Sequence, residues 1–104
     1  MKTILLILSV VMTFVSVCYS QQATQTLTNL EKAYQAESNA TRRYEMFAQK
    51  ASEENQEQIA KLFKAVSKSE AIHAQNHKRA IEALGGTPGE IVYEDVSVET
   101  TRQI

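Results

Sequence analysis

The sequence predicts an all-α protein, a two-helix hairpin followed by an irregular tail. Apolar residues recur at alternating steps of three and four along two stretches, and both stretches are free of Gly and Pro. Gly85-Gly86, with Pro88 just beyond, closes the second stretch.

A different kind of segment comes first. "MKTILLILSVVMTFVSVCYSQQ" carries one charge, at Lys2, and then an uncharged apolar run from Ile4 to Val17. That run of about 14 residues is shorter than the roughly 18 that read as a membrane span, so it fits a secretory signal. Cleavage is expected after Ser20, which makes residues 1–20 the signal and sends the protein to the periplasm or outside the cell. The alternatives are an uncleaved membrane anchor and a lipoprotein, because "VSVC" has some likeness to a lipidation site at Cys18. Cleavage after Ser20 leaves no cysteine, which excludes disulfides and thiolate metal sites.

The whole chain has formal charge -1, from 11 basic and 12 acidic side chains. Losing Lys2 with the signal brings the remainder to -2. No basic block or aromatic-basic cluster is present, so a nucleic-acid partner is not expected. About 84 residues would remain, enough for only a small core.

The first helix is expected over about 27–52. Its stripe is Leu27, Leu30, Tyr34, Glu37, Thr41, Tyr44, Ala48 and Ala51, and Thr28 with Glu31 resembles a capping box that starts it near Leu27 or Asn29. "SEENQ" is polar enough for a short turn. The second helix, about 56–84, has the stripe Ile59, Leu62, Val66, Glu70, His73, His77, Ala80 (with Ile81) and Leu84. So short a connection makes the two helices antiparallel neighbours within one unit, residues 21–86. Residues 87–104, with "GEIVYEDVSVETTRQI" and its valines 92, 96 and 98, form an extended tail. Two amphipathic helices cover only part of each other's apolar stripe, so pairing into four helices is the simplest completion.

Polar residues interrupt both stripes. Glu37 lies on the first, and Tyr44, seven residues later, is rotated from it by only about 20°. On the second, Glu70 and His73 are about 60° apart and converge on one side, while His77 is in line with Glu70. A buried carboxylate is costly unless it is paired, hydrogen-bonded or bound to metal. Two carboxylates and an imidazole on facing stripes suit iron or manganese, and zinc would also bind. Simpler readings stand beside this one. Glu37 could pair with Arg42 or Arg43 at the stripe's edge, Tyr44 could be ordinary core, and His77 a solvated helix residue.

"LEKAYQAESNATRRYEMFAQKA" and "EQIAKLFKAVSKSEAIHAQNHKRAIEALGG" resemble the first two helices of rubrerythrins, in the ferritin-like superfamily. The resemblance implies a ferritin-like hairpin in which Glu37, Glu70 and His73 bind iron and Tyr44 is a phenol that orients a ligand carboxylate. It transfers no role to His77. Rubrerythrins carry a second helix pair with another glutamate and another Glu-x-x-His, and a rubredoxin module; neither is present here. The tail resembles the crossover towards a third helix. A di-iron bundle takes glutamates from two helices and Glu-x-x-His from two others, so this hairpin encodes half of the set. The expectation is a homodimer forming a four-helix bundle, with a di-iron centre shared between subunits that reduces peroxide or oxidises ferrous iron. Electrons would come from an external donor or from ferrous iron itself. The alternatives are a non-catalytic iron-binding or storage module and a structural hairpin from a truncated gene.

Overall fold

The computed structural model describes the backbone of residues 2–104 and the side chains of residues 12, 15, 16, 19–102 and 104. Met1 and the side chain of Cys18, on which the signal and lipidation expectations partly rest, lie outside these. Two helices, α1 (Lys2–Glu53) and α2 (Glu57–Ala83), form an antiparallel hairpin, and a short 3-10 turn (Thr101–Gln103) ends the tail. No strand is present among the described residues. Among them, too, no helix is long and apolar enough to cross a membrane.

The expected start of the first helix near Leu27 is wrong. α1 runs without a break from Lys2, because no Gly or Pro interrupts the backbone upstream of Thr28. The Thr28 hydroxyl caps nothing; it donates to the Thr24 carbonyl at 3.0 Å, one turn back in the same helix.

Both helices end in the same way. After α1, Gln56 N–H donates to Ala51 O (2.7 Å) and Asn55 N–H to Ser52 O (3.1 Å), with Asn55 at φ 59°. After α2, Gly86 N–H donates to Ile81 O (2.9 Å) and Gly85 N–H to Glu82 O (3.0 Å), with Gly85 at φ 80°. Each is a Schellman closure whose left-handed residue is one that tolerates that conformation, Asn or Gly. Gly86 is needed for a second reason: a β-carbon there would lie 2.9 Å from side-chain carbons of Leu27 and Ile81.

The contact seam differs from the expected stripe on α2. Its buried residues are Ala60, Ser67, Ala74 and Ile81, seven apart, and Ala48 and Ala51 are buried on α1. Small side chains let two helix axes approach closely. The larger residues of the expected stripe flank that seam instead, with Leu62 60% and Leu84 52% exposed. The stripe centred on Glu70 is rotated from the seam by about 60° at 100° per residue. Among the described residues no large side chain is fully buried, so the hairpin alone has a thin core. Tyr44, Phe47 and Phe63 form an aromatic cluster, with ring centroids 5.4 to 5.9 Å apart.

The tail is extended, as expected, but it is tied down. Running in the same direction as α1, it is held by polar side chains of that helix. Gln35 donates to Glu90 O (2.8 Å) and accepts from Val92 N–H (3.0 Å). Asn39 donates to Val92 O (2.9 Å) and accepts from Glu94 N–H (2.7 Å). Arg42 then donates to Glu94 O (3.0 Å), its guanidinium 5.2 Å from the Tyr93 ring centre. The spacing works because four helical residues rise about 6 Å and two extended residues about 6.6 Å. Each amide thus meets the next two-residue repeat of the tail.

At the far end Thr101 N–H donates to Glu54 Oε2 at 2.8 Å. The Thr101 hydroxyl, close by but outside hydrogen-bond geometry, and this N–H hold the Glu54 carboxyl below the usual glutamate range. The N–H is the firmer tether. Asn39 is the rung with the most to lose, since it is buried and pairs with two tail groups. Asn39→Ala should cost about 1–3 kcal/mol and speed amide exchange at Glu94, whose N–H loses its acceptor. Hydrogen exchange read by NMR checks both effects, and unchanged protection at Glu94 would refute the ladder.

Candidate metal centre

The register of the hairpin is set beside the site. Ser67 Oγ on α2 donates to the carbonyl of Thr41 on α1 at 3.0 Å, a bond between helices. Glu37 is one turn before Thr41, and Glu70 is about one turn after Ser67 on the antiparallel helix, so the two carboxylates arrive at the same level. The Thr41 hydroxyl is kept within its own helix, donating to Glu37 O at 2.9 Å.

Glu37, Glu70 and His73 meet there, each offering a donor atom within 4.8 Å of the others. His73 Nδ1 is 3.0 Å from Glu70 Oε2 and 4.0 Å from Glu37 Oε1. His77 approaches from one turn further along α2, with Nε2 3.9 Å from the same Glu37 oxygen. Both imidazoles of α2 therefore approach the same oxygen of Glu37. Glu37 and Glu70 are half-buried, and His73 is exposed.

Two carboxylates at this distance do not ionise independently. A hydrogen bond shared with Glu70, then burial, then the Glu70 charge push the Glu37 carboxyl above its ordinary range, against the opposing pull of His73 and His77. Glu70 is held below its range, first by that same hydrogen bond and then by His73. The two carboxyls are thus shifted in opposite directions, as expected of two facing acids. A divalent cation among them would offset the repulsion between the carboxylates. Oxygen donors with one or two imidazoles suit iron, manganese or zinc, so the side chains present fit such an ion.

Tyr44 is placed differently from the others. Its ring packs against Phe47 and Phe63, and among the described residues its hydroxyl makes no hydrogen bond to Glu37 or Glu70. Neither Arg42 nor Arg43 forms an ion pair with Glu37 among the described residues, and Arg42 is occupied by the tail. Sequence periodicity missed Ser67, the residue that fixes the register. Its signal was the seven-residue spacing with Ala60 and Ala74.

A family model described as Rubrerythrin matches residues 28–104, three quarters of the chain and all of the hairpin beyond Leu27. The chain belongs to the rubrerythrin family. A curated relative, Rubrerythrin-2 of Clostridium acetobutylicum, is 46% identical over 48 residues, which is 46% of this chain. Those residues span about a quarter, 26%, of that relative's length. No solved structure matches the chain. Rubrerythrins generally bind iron, and in this member the Glu37–Glu70–His73 group is the candidate place for it.

Proposed function

We propose that this rubrerythrin holds iron through Glu37, Glu70 and His73, and completes a di-iron centre by pairing with a second copy of the same hairpin. The observation that carries the reading is the convergence of the two carboxylates and the imidazole within 4.8 Å, on helices registered by the Ser67–Thr41 bond. The exposed Leu62 is on the same stripe of α2 as Glu70 and His73, which puts the incomplete ligand set and the incomplete apolar face on one side.

The reaction class is reduction of peroxide or oxidation of ferrous iron. Bound iron supplies the electrons and the Lewis acidity. The chain's own residues bind and place it. Glu70 stands 3.0 Å from His73 Nδ1, so one ion could take both as ligands, and Glu37 brings its carboxylate to the same place from the other helix. Tyr44 lies two turns along α1 from Glu37, and its phenol is the candidate proton donor. Reduction of the oxidised centre needs an external electron donor. The segment after Lys2 supports export with cleavage near Ser20.

Turnover separates a peroxidase from a storage or handling role. Protein loaded anaerobically with ferrous iron should oxidise on adding one equivalent of hydrogen peroxide. With a chemical reductant present it should consume many equivalents per iron. Peroxide assay with iron spectroscopy reads both stages. One stoichiometric oxidation without further turnover would assign the protein to iron handling; no reaction with bound iron would reject the redox reading.

A further inference from the structure

The structure assigns His77 a role of its own: Glu37, His73 and His77 form a gripping set that lets a single chain hold one divalent transition-metal ion before any pairing. This inference rests on Glu37 and His73 belonging to the metal site but not on a di-iron centre forming.

The geometry comes from two helices. His73 and His77 are four residues apart on α2, so both rings leave the same face, one turn above the other. Each reaches the same atom of α1, with His73 Nδ1 at 4.0 Å and His77 Nε2 at 3.9 Å from Glu37 Oε1. In a tetrahedral site with bonds of about 2.0–2.1 Å the donor atoms are about 3.3–3.4 Å apart. Each imidazole nitrogen is therefore within about half an ångström of the separation from the carboxylate oxygen that such a site needs, and the two rings must also turn towards each other to share one ion. Glu70, already 3.0 Å from His73 Nδ1, can act as the fourth donor.

Two imidazoles and a carboxylate make a different site from two carboxylates and one imidazole. The first is a mononuclear set that favours zinc, cobalt, copper or ferrous iron with open positions, and the second is oxygen-rich. Both helices are fixed by the Ser67–Thr41 bond and the Schellman closure at Asn55. Glu37 Oε1 is thus held within about 4 Å of both imidazoles in one chain. His77 is half-buried, with its side chain 32% exposed, which leaves the site open to an ion from solvent.

The test uses metal binding by the full chain, with sedimentation to select a concentration at which it is monomeric. Cobalt(II) titrated into it should bind at one ion per chain, with the visible spectrum of a low-coordinate mixed nitrogen-oxygen site. His77→Gln keeps the helix and should weaken that binding by at least about 10-fold, whereas Lys78→Gln, next to it, should not. Pulsed electron paramagnetic resonance on the unsubstituted chain with one equivalent of copper(II) counts coordinated imidazoles without any variant. Two are expected. One imidazole in the unsubstituted chain, or cobalt affinity unchanged in His77→Gln, would overturn the proposal. Loss of the paired di-iron centre with the monomer site intact would reject the shared-site reading and leave this one standing.

Discussion

Glu37→Ala and His73→Ala should each remove most of the iron from the protein, lowering its affinity by at least about 100-fold. Changing residues that only orient metal ligands typically costs 10–100-fold, and a direct ligand should cost no less. Glu45→Ala is the control. Glu45 lies two turns from Glu37 but is exposed and rotated off the stripe by about 80°, so its loss should leave iron loading intact. Equal loss in all three would mean that iron is held by diffuse surface charge, with no positional content in the site.

The same variants should behave oppositely in the apo-protein. Glu37 is a half-buried acid facing another acid, and its raised carboxyl reflects that conflict. Replacing it with alanine removes the conflict and adds the best helix former. The apo Glu37→Ala protein should therefore be as stable as the unsubstituted one, or slightly more so, as judged by thermal unfolding. A residue that is neutral or costly for folding and needed for iron is one kept for its chemistry.

The site was legible in the sequence to a degree that depended on helical period alone. Steps of three, four and seven put Glu37, Glu70, His73 and His77 on two stripes; the structure brings the first three together, and His77 comes within 3.9 Å of Glu37. The same reasoning misjudged which residues form the seam. Periodicity rewards large apolar side chains, while close helix contact selects small ones, so Ala60, Ser67 and Ala74 were passed over for Leu62 and Val66. The start of α1 was misread because a Thr-x-x-Glu pattern marks a cap only where the chain before it is not already helical. The tail's ladder was hidden for another reason. Gln35 and Asn39 look like ordinary polar residues of a solvated face, and only the match between helical and extended rises reveals that they bond backbone 55 residues away in sequence.

Adding ferrous iron anaerobically should raise both the dimer fraction and the thermal stability of the protein, as one linked event. Each hairpin contributes Glu37, Glu70 and His73, two carboxylates and an imidazole, to the proposed centre. A two-fold pairing brings four carboxylates and two imidazoles together, using the same surface on each copy. It also covers Leu62, and with it an apolar face that the thin hairpin core leaves open. Burying one leucine of this kind contributes about 1.5–3 kcal/mol, which is a large share of the stability of a small domain. A ligand that binds the folded pair more tightly than the single chain drives pairing by mass action, by up to about 2.7 kcal/mol at a hundred times its Kd. For a domain of this size that corresponds to a rise in Tm of about 10–20 °C. Sedimentation velocity and thermal unfolding, each with and without iron, measure the two effects, and His73→Ala should abolish both together. A folded monomer that takes up two irons per chain would sink the shared centre. A dimer that forms equally well without metal would separate pairing from iron, and the exposed stripe on α2 would then be an interface that owes nothing to the ligands beside it.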